Sequence, residues 1–176
     1  MNLPNKLTIL RVALIVPFVF FMTLDAVWAQ FLAALVFLLA SVTDLIDGWY
    51  ARRYDMVTDF GKLMDPMADK LLVMAALVVL VAQGRAPWLA AVLALGREFV
   101  VSGVRLVAAA KGIVVAADKL GKVKTVLQMI AIPMLLLSWA LPSLLRPGEI
   151  LLWASVALSV LSCAQYIWNV REVFKS

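Results

Sequence analysis

The chain has 176 residues, of which 65% are hydrophobic, with a mean hydropathy of +1.00 and a formal net charge of +5. Soluble domains carry roughly 45–50% apolar residues, and a soluble chain of this length has no interior large enough for this excess. There is no histidine and a single cysteine, Cys163, which excludes a Ser-His-Asp triad, histidine metal ligands, an internal disulfide and a cysteine-based zinc site.

Acid–base work therefore falls to Asp, Glu, Lys, Tyr or water. At about 20 residues per span, six transmembrane helices are the most that fit. The expected fold is an all-α integral membrane protein, one domain over residues 1–176, without repeats or linkers. The net charge is assigned to basic residues retained in the cytoplasm and to anionic headgroups. Membrane lipids are expected partners and nucleic acid is not.

Taken in order, Asn5 is placed to cap a helix starting near Lys6, and the first apolar run is Val12 to Leu24. A signal peptide is disfavoured, because Arg11 and Pro17 interrupt that run and no small-residue cleavage site follows. The second run, Phe31 to Val42, ends in Thr43-Asp44-Leu45-Ile46-Asp47-Gly48, where Gly48 suits a helix terminus or a close backbone approach. Residues 49–60 read as a polar loop. A third helix runs from near Phe60 to Val81, and Gln83 to Pro87 form a turn. A fourth covers Trp88 to about Ala110, with Arg97, Glu98 and Arg105 inside it. Lys119, Lys122 and Lys124 open a fifth, which contains Pro133 and runs to Ala140. Pro142 to Gly148 read as a turn before a sixth span from Ile150 to about Asn169.

With six spans, the N-terminus, the 48–60 and 111–119 connections and the C-terminus share one side. The other side carries only Arg85 and Arg146 among basic residues. The positive-inside rule puts the first side in the cytoplasm.

The stretch Asp44 to Asp69 holds six of the eleven acidic residues. A carboxylate at the middle of a bilayer costs about 2.5–3.5 kcal/mol, so several of these need compensation. Asp44 and Asp47 are three apart and Asp65 and Asp69 four apart, so each pair shares one helix face. Two antiparallel helices can present all four carboxylates to one point. Such an oxygen-only set suits Mg²⁺ or Mn²⁺. Two cations would relieve the mutual repulsion, as in phosphoryl-transfer sites. Helix capping and pairing with Arg52, Arg53, Lys62 and Lys70 is the competing reading, and it is preferred for Asp55 and Asp59.

The pattern Asp44-x2-Asp47-Gly48-x2-Ala51-Arg52-x8-Gly61-x3-Asp65-x3-Asp69 resembles the signature of the CDP-alcohol phosphatidyltransferase family at every fixed position. The resemblance implies a six-helix membrane fold, a homodimer and CDP-diacylglycerol as the donor. It implies that Asp44, Asp47, Asp65 and Asp69 hold two divalent cations, Mg²⁺ or Mn²⁺. It makes Asp69 the general base and gives the nucleotide to Gly48, Ala51, Arg52 and Gly61, with Thr58 as a further contact. Small residues admit a nucleotide close to the backbone, and Arg52 offers a planar fork for phosphate oxygens.

Arg97, Arg105, Lys119, Lys122 and Lys124 add positive charge on the same side. An acceptor carrying its own phosphate needs such a pocket, whereas free serine or choline does not. The opposing readings are an Arg97–Glu98 pair and lysines facing headgroups. The N-terminal run Asn2 to Arg11, Arg97-Glu98 with Arg105, and Gly121-Lys122-Val123-Lys124-Thr125 with Gln128 resemble the bacterial branch that forms phosphatidylglycerophosphate. That branch implies glycerol 3-phosphate as acceptor, held by Arg105, Lys122, Lys124 and Arg97, in the bacterial cytoplasmic membrane. An inositol phosphate or serine acceptor is the nearest alternative. A cation transporter is the remote one, since it would carry its acids near the midplane.

Overall fold

The computed structural model describes the backbone of residues 3–53, 59–110 and 119–170, and the side chains of residues 8–43, 67–68, 70–108 and 120–168. Among the described residues there are six α-helices and one short 3₁₀ turn, with no strand: α1 (Leu3–Met22), α2 (Val27–Arg53), α3 (Asp59–Ala82), α4 (Trp88–Ala110), α5 (Lys119–Leu137) and α6 (Leu145–Val170).

Helix α4 has the bounds its sequence announces. Others differ. Helix α1 starts at Leu3, so Asn5 lies within its first turn and does not cap it. Helix α2 runs on through Gly48 to Arg53. One glycine costs about 1 kcal/mol in a helix. Breaking the helix there would leave several backbone groups without their intrahelical partners, which costs more. Helix α3 begins at Asp59 rather than after it, and an acid suits the first turn of a helix. Helix α6 starts at Leu145, directly after the turn Pro142–Leu144. Pro147 falls in its first turn, where the missing N–H is no loss. Helices α1 and α5 pass through Pro17 and Pro133 without interruption.

The α3–α4 connection shows why a glycine is needed. Gly84 has φ +67°, the amide of Arg85 donates to the carbonyl of Leu80 at 2.8 Å, and that of Gly84 to Val81 at 3.0 Å. This closes the end of α3 with its last carbonyls satisfied. Gln83 Nε2 donates to the Met22 carbonyl at 3.0 Å, tying the end of α3 to the end of α1.

Helix α1 packs on α2 and α3, while α6 packs on α5 and α4, and α2 meets α5 to join the two groups. The shared core contains Phe18, Phe37, Leu72, Leu77, Leu80, Ile132, Leu135, Leu136 and Leu152, all fully buried. Alanines fill the contacts between them, at Ala33, Ala34, Ala40, Ala76, Ala90, Ala94 and Ala131. Small residues let apolar helices approach closely without a solvent-driven force between them. The outward faces are apolar too, with Val16, Phe20, Val78, Val92, Leu106, Ile150 and Leu161 all exposed. Leu120–Leu137 and Pro142–Trp168 are long and apolar enough to cross a membrane, and Thr8–Met22, Val27–Thr43 and Lys70–Ala82 are shorter apolar stretches.

Gly148 on α6 lies close against Leu135 on α5. A Cβ there would lie 3.0 Å from Leu135 Cγ and Cδ2. Gly148→Val is therefore expected to lower stability by roughly 1–3 kcal/mol through overpacking. A lowered thermal midpoint of the detergent-solubilised protein checks this.

Candidate functional site

Asp44, Asp47, Gly48, Ala51 and Arg52 all lie on α2, and Gly61, Asp65 and Asp69 on α3. Both halves of the pattern are thus helical, so the three- and four-residue spacings do place each aspartate pair on one helix face. Thr58 and Asp55 lie outside the described residues, as do the side chains of the four aspartates. Among the described residues no group of three or more His, Cys, Asp or Glu side chains could hold a metal ion. The donor set on α2 and α3 is oxygen-only, which fits Mg²⁺ or Mn²⁺ and does not fit soft-metal chemistry.

Lys70, next to Asp69, ties α3 to α4. Lys70 Nζ donates to Ser102 Oγ on α4, and Ser102 Oγ donates to the Glu98 carbonyl at 2.6 Å. The motif helix is thereby tied to the charged stretch of α4.

That stretch forms an ion trio. Glu98 Oε1 accepts from Arg97 Nη1 at 3.1 Å and from Lys124 Nζ on α5. Arg97 continues to α6. Its Nη2 donates to Ser162 Oγ at 2.8 Å and its Nε to the Ser159 carbonyl at 3.3 Å. All three guanidinium nitrogens thus have protein partners. The side chains are shielded, with 10% of Arg97, 19% of Glu98 and 6% of Lys124 exposed. Gly121 lies beside this crossing, where a Cβ would stand in ordinary contact, 3.5 Å from Arg97 Nη2 and 3.7 Å from Ser162 Oγ.

Two of the other basic residues named from sequence have exposed side chains. Lys122 is exposed. Arg105 is exposed as well, with its guanidinium over the Tyr166 ring at 5.6 Å. Tyr166 is 5% exposed, and its hydroxyl has no hydrogen-bond partner among the described residues. Lys124, in contrast, is buried, with Gln128 buried one turn further along α5.

Sequence reasoning missed Ser102, Ser159, Ser162 and Tyr166. Serines and a tyrosine in apolar helices carry no pattern of their own. Their roles follow from which residue of a neighbouring helix faces them. The opposite end of the bundle has a comparable side-chain tie besides the Gln83 contact to Met22. Arg85 Nη1 donates to Ser138 Oγ at 3.0 Å, and its guanidinium carbon lies 6.0 Å from the Trp139 ring centre. Burial holds the Arg85 guanidinium below its ordinary pKa.

The family model described as CDP-alcohol phosphatidyltransferase matches residues 1–161. The chain is 43% identical over 190 residues to a Bacillus subtilis protein named CDP-diacylglycerol–glycerol-3-phosphate 3-phosphatidyltransferase, covering 99% of this chain and 98% of that one. It is 39% identical over 176 residues to a Rickettsia bellii protein of the same name, covering 98% and 97%. A third relative of that name, from Escherichia coli K12, is 38% identical over 175 residues, covering 97% and 92%.

The geometry generates a prediction about Arg97. Arg97→Met removes the contacts to Ser159, Ser162 and Glu98 and leaves Glu98 with one cation less. Loss of one partner from such a buried network is expected to cost about 3 kcal/mol. The thermal midpoint of the purified variant reads this directly.

Proposed function

The chain belongs to the CDP-alcohol phosphatidyltransferase family, and on that premise we propose that it transfers the phosphatidyl group of CDP-diacylglycerol to glycerol 3-phosphate, giving phosphatidylglycerophosphate and CMP. The observation that carries this reading is the complete aspartate pattern, helical in both halves, in a chain similar from end to end to relatives named for that reaction.

The family is generally dependent on divalent cations. Asp44, Asp47, Asp65 and Asp69 would hold two of them, Mg²⁺ or Mn²⁺. When bound, such cations neutralise the pyrophosphate charge and favour attack at phosphorus. Gly48, Ala51, Arg52 and Gly61, with Thr58, receive the cytidine nucleotide. Asp69 takes the proton from the acceptor hydroxyl. The hydroxyl oxygen then bonds to the phosphorus that carries the diacylglycerol. The bond from that phosphorus to the bridging oxygen breaks, and CMP leaves with the electron pair. A carboxylate base is the natural choice in a chain without histidine.

The acceptor phosphate is assigned to Lys124 inside the α4–α5–α6 contact, with Lys122 and Arg105 from the exposed side. Arg97 serves there by fixing Glu98 and α6. The protein works as one domain with six spans in the bacterial cytoplasmic membrane, its active site facing the cytoplasm, as a homodimer. The exposed apolar faces of all six helices support that placement.

Two experiments test the reading. Purified protein given labelled CDP-diacylglycerol, Mg²⁺ and a panel of alcohols is expected to release CMP with glycerol 3-phosphate. CMP release with inositol phosphate or serine instead would overturn the acceptor. Asp69→Asn is expected to lower turnover by about 10²–10⁴-fold, the usual contribution of a positioned base. Binding of CDP-diacylglycerol should persist in that variant, and near-normal turnover would remove Asp69 from the role.

A further inference from the structure

We propose that Glu98 is a positioning residue for the acceptor site, holding Lys124 at the depth and angle at which its ammonium meets the acceptor's phosphate. The inference rests on the acceptor reading given above and deepens it.

The geometry has three parts. First, one oxygen of Glu98, Oε1, accepts from both Arg97 and Lys124. Second, Arg97 is a fixed strut. Its planar fork is held at Ser159, Ser162 and Glu98, so its contact with Oε1 sets where that oxygen lies. Third, Lys124 is a point charge on a flexible stem, without geometry of its own. Its ammonium is placed by what it donates to, and Glu98 Oε1 is one of those acceptors. The order of command therefore runs from α6 through Arg97 and Glu98 to Lys124.

Two cations, from Arg97 and Lys124, flank the one carboxylate oxygen of Glu98 in a shielded site. An ammonium has three N–H donors, so bonding Glu98 does not by itself exhaust what Lys124 can donate to a phosphate oxygen. Backbone placement of Glu98 is reinforced by the Ser102 hydroxyl on its carbonyl.

The test uses the full-length protein in detergent or liposomes, with glycerol 3-phosphate as the varied substrate. E98Q keeps the shape and removes the charge. Its KM for glycerol 3-phosphate is expected to rise roughly tenfold, the size of one weakened charge-assisted contact. Its kcat and its KM for CDP-diacylglycerol should stay within about twofold of wild type, as expected for lost ground-state binding alone. E98D keeps the charge on a shorter stem and should fall between E98Q and wild type. It also provides the measurement should E98Q fail to fold. The decisive arm is the pair E98Q/K124A. If Glu98 acts through Lys124, the double variant has the KM of K124A alone. Additive effects, an unchanged KM in E98Q, or a lowered one each overturn the proposal. A lowered KM would mean that Glu98 competes with phosphate. Failure of wild type to release CMP with glycerol 3-phosphate would instead remove the acceptor reading itself, so the two failures are distinguishable.

Discussion

A charge carried on an apolar helix must find a partner on a neighbouring helix, and this requirement governs how the six helices meet. Arg97 and Glu98 sit in the middle of α4, between apolar residues on either side. Stranding one buried charge costs several kcal/mol. Sliding α4 by one turn along α6 would strand Arg97 from Ser159 and Ser162. Sliding it along α5 would strand Glu98 from Lys124. Alanine and leucine contacts tolerate such slips far better, because one apolar neighbour resembles another. The polar contacts therefore set the register that the hydrophobic core then fills. Arg85 with Ser138, and Gln83 with the Met22 carbonyl, do the same at the other end.

The same network links two sites that the sequence separates. Asp69 closes the aspartate pattern, and Lys70 follows it on α3. Lys70 bonds Ser102, Ser102 bonds the Glu98 carbonyl, and the Glu98 carboxylate meets Lys124. One serine hydroxyl thus stands between the helix of the proposed base and the trio proposed for the acceptor phosphate. A reaction that joins a donor to an acceptor needs its two sites at a fixed separation, within about an ångström. A short polar relay between α3 and α4 supplies such a constraint, where sparse apolar packing between those helices would not.

The aspartate pattern was legible because its chemistry depends on residue type and spacing, and helical spacing survives folding. The bounds of α4 were legible for a related reason, with a Gly-Arg-Ala-Pro turn before it and Lys-Gly after it. The ends of α2 and α6 were not. Gly48 and Gly148 look like breaks, yet both lie within helices, and at Gly148 the missing side chain serves a close approach to Leu135. The Arg97–Glu98 pair was one of two readings open from sequence. Its ties to Ser159, Ser162 and Lys124 could not be read, because they depend on the rotation of α5 and α6 about their axes.

That rotation also decides what the lysines of α5 mean. Lys122 and Lys124 look equivalent in a count of cations. Two residues apart on a helix, they point about 200° apart. Lys124 continues the buried face, followed by Gln128, Ala131, Ile132 and Leu135, all buried. Lys122 belongs to the opposite side, with the exposed Val123, Val126 and Ile130 nearby. A lysine on an outward face is placed to meet headgroups or the rim of an opening. A lysine on the inward face must be balanced by a carboxylate from another helix. Glu98 provides one such carboxylate opposite Lys124. On the acceptor assignment proposed above, selectivity for a phosphate-bearing acceptor depends less on how many cations the chain carries than on which one the helix turns inward.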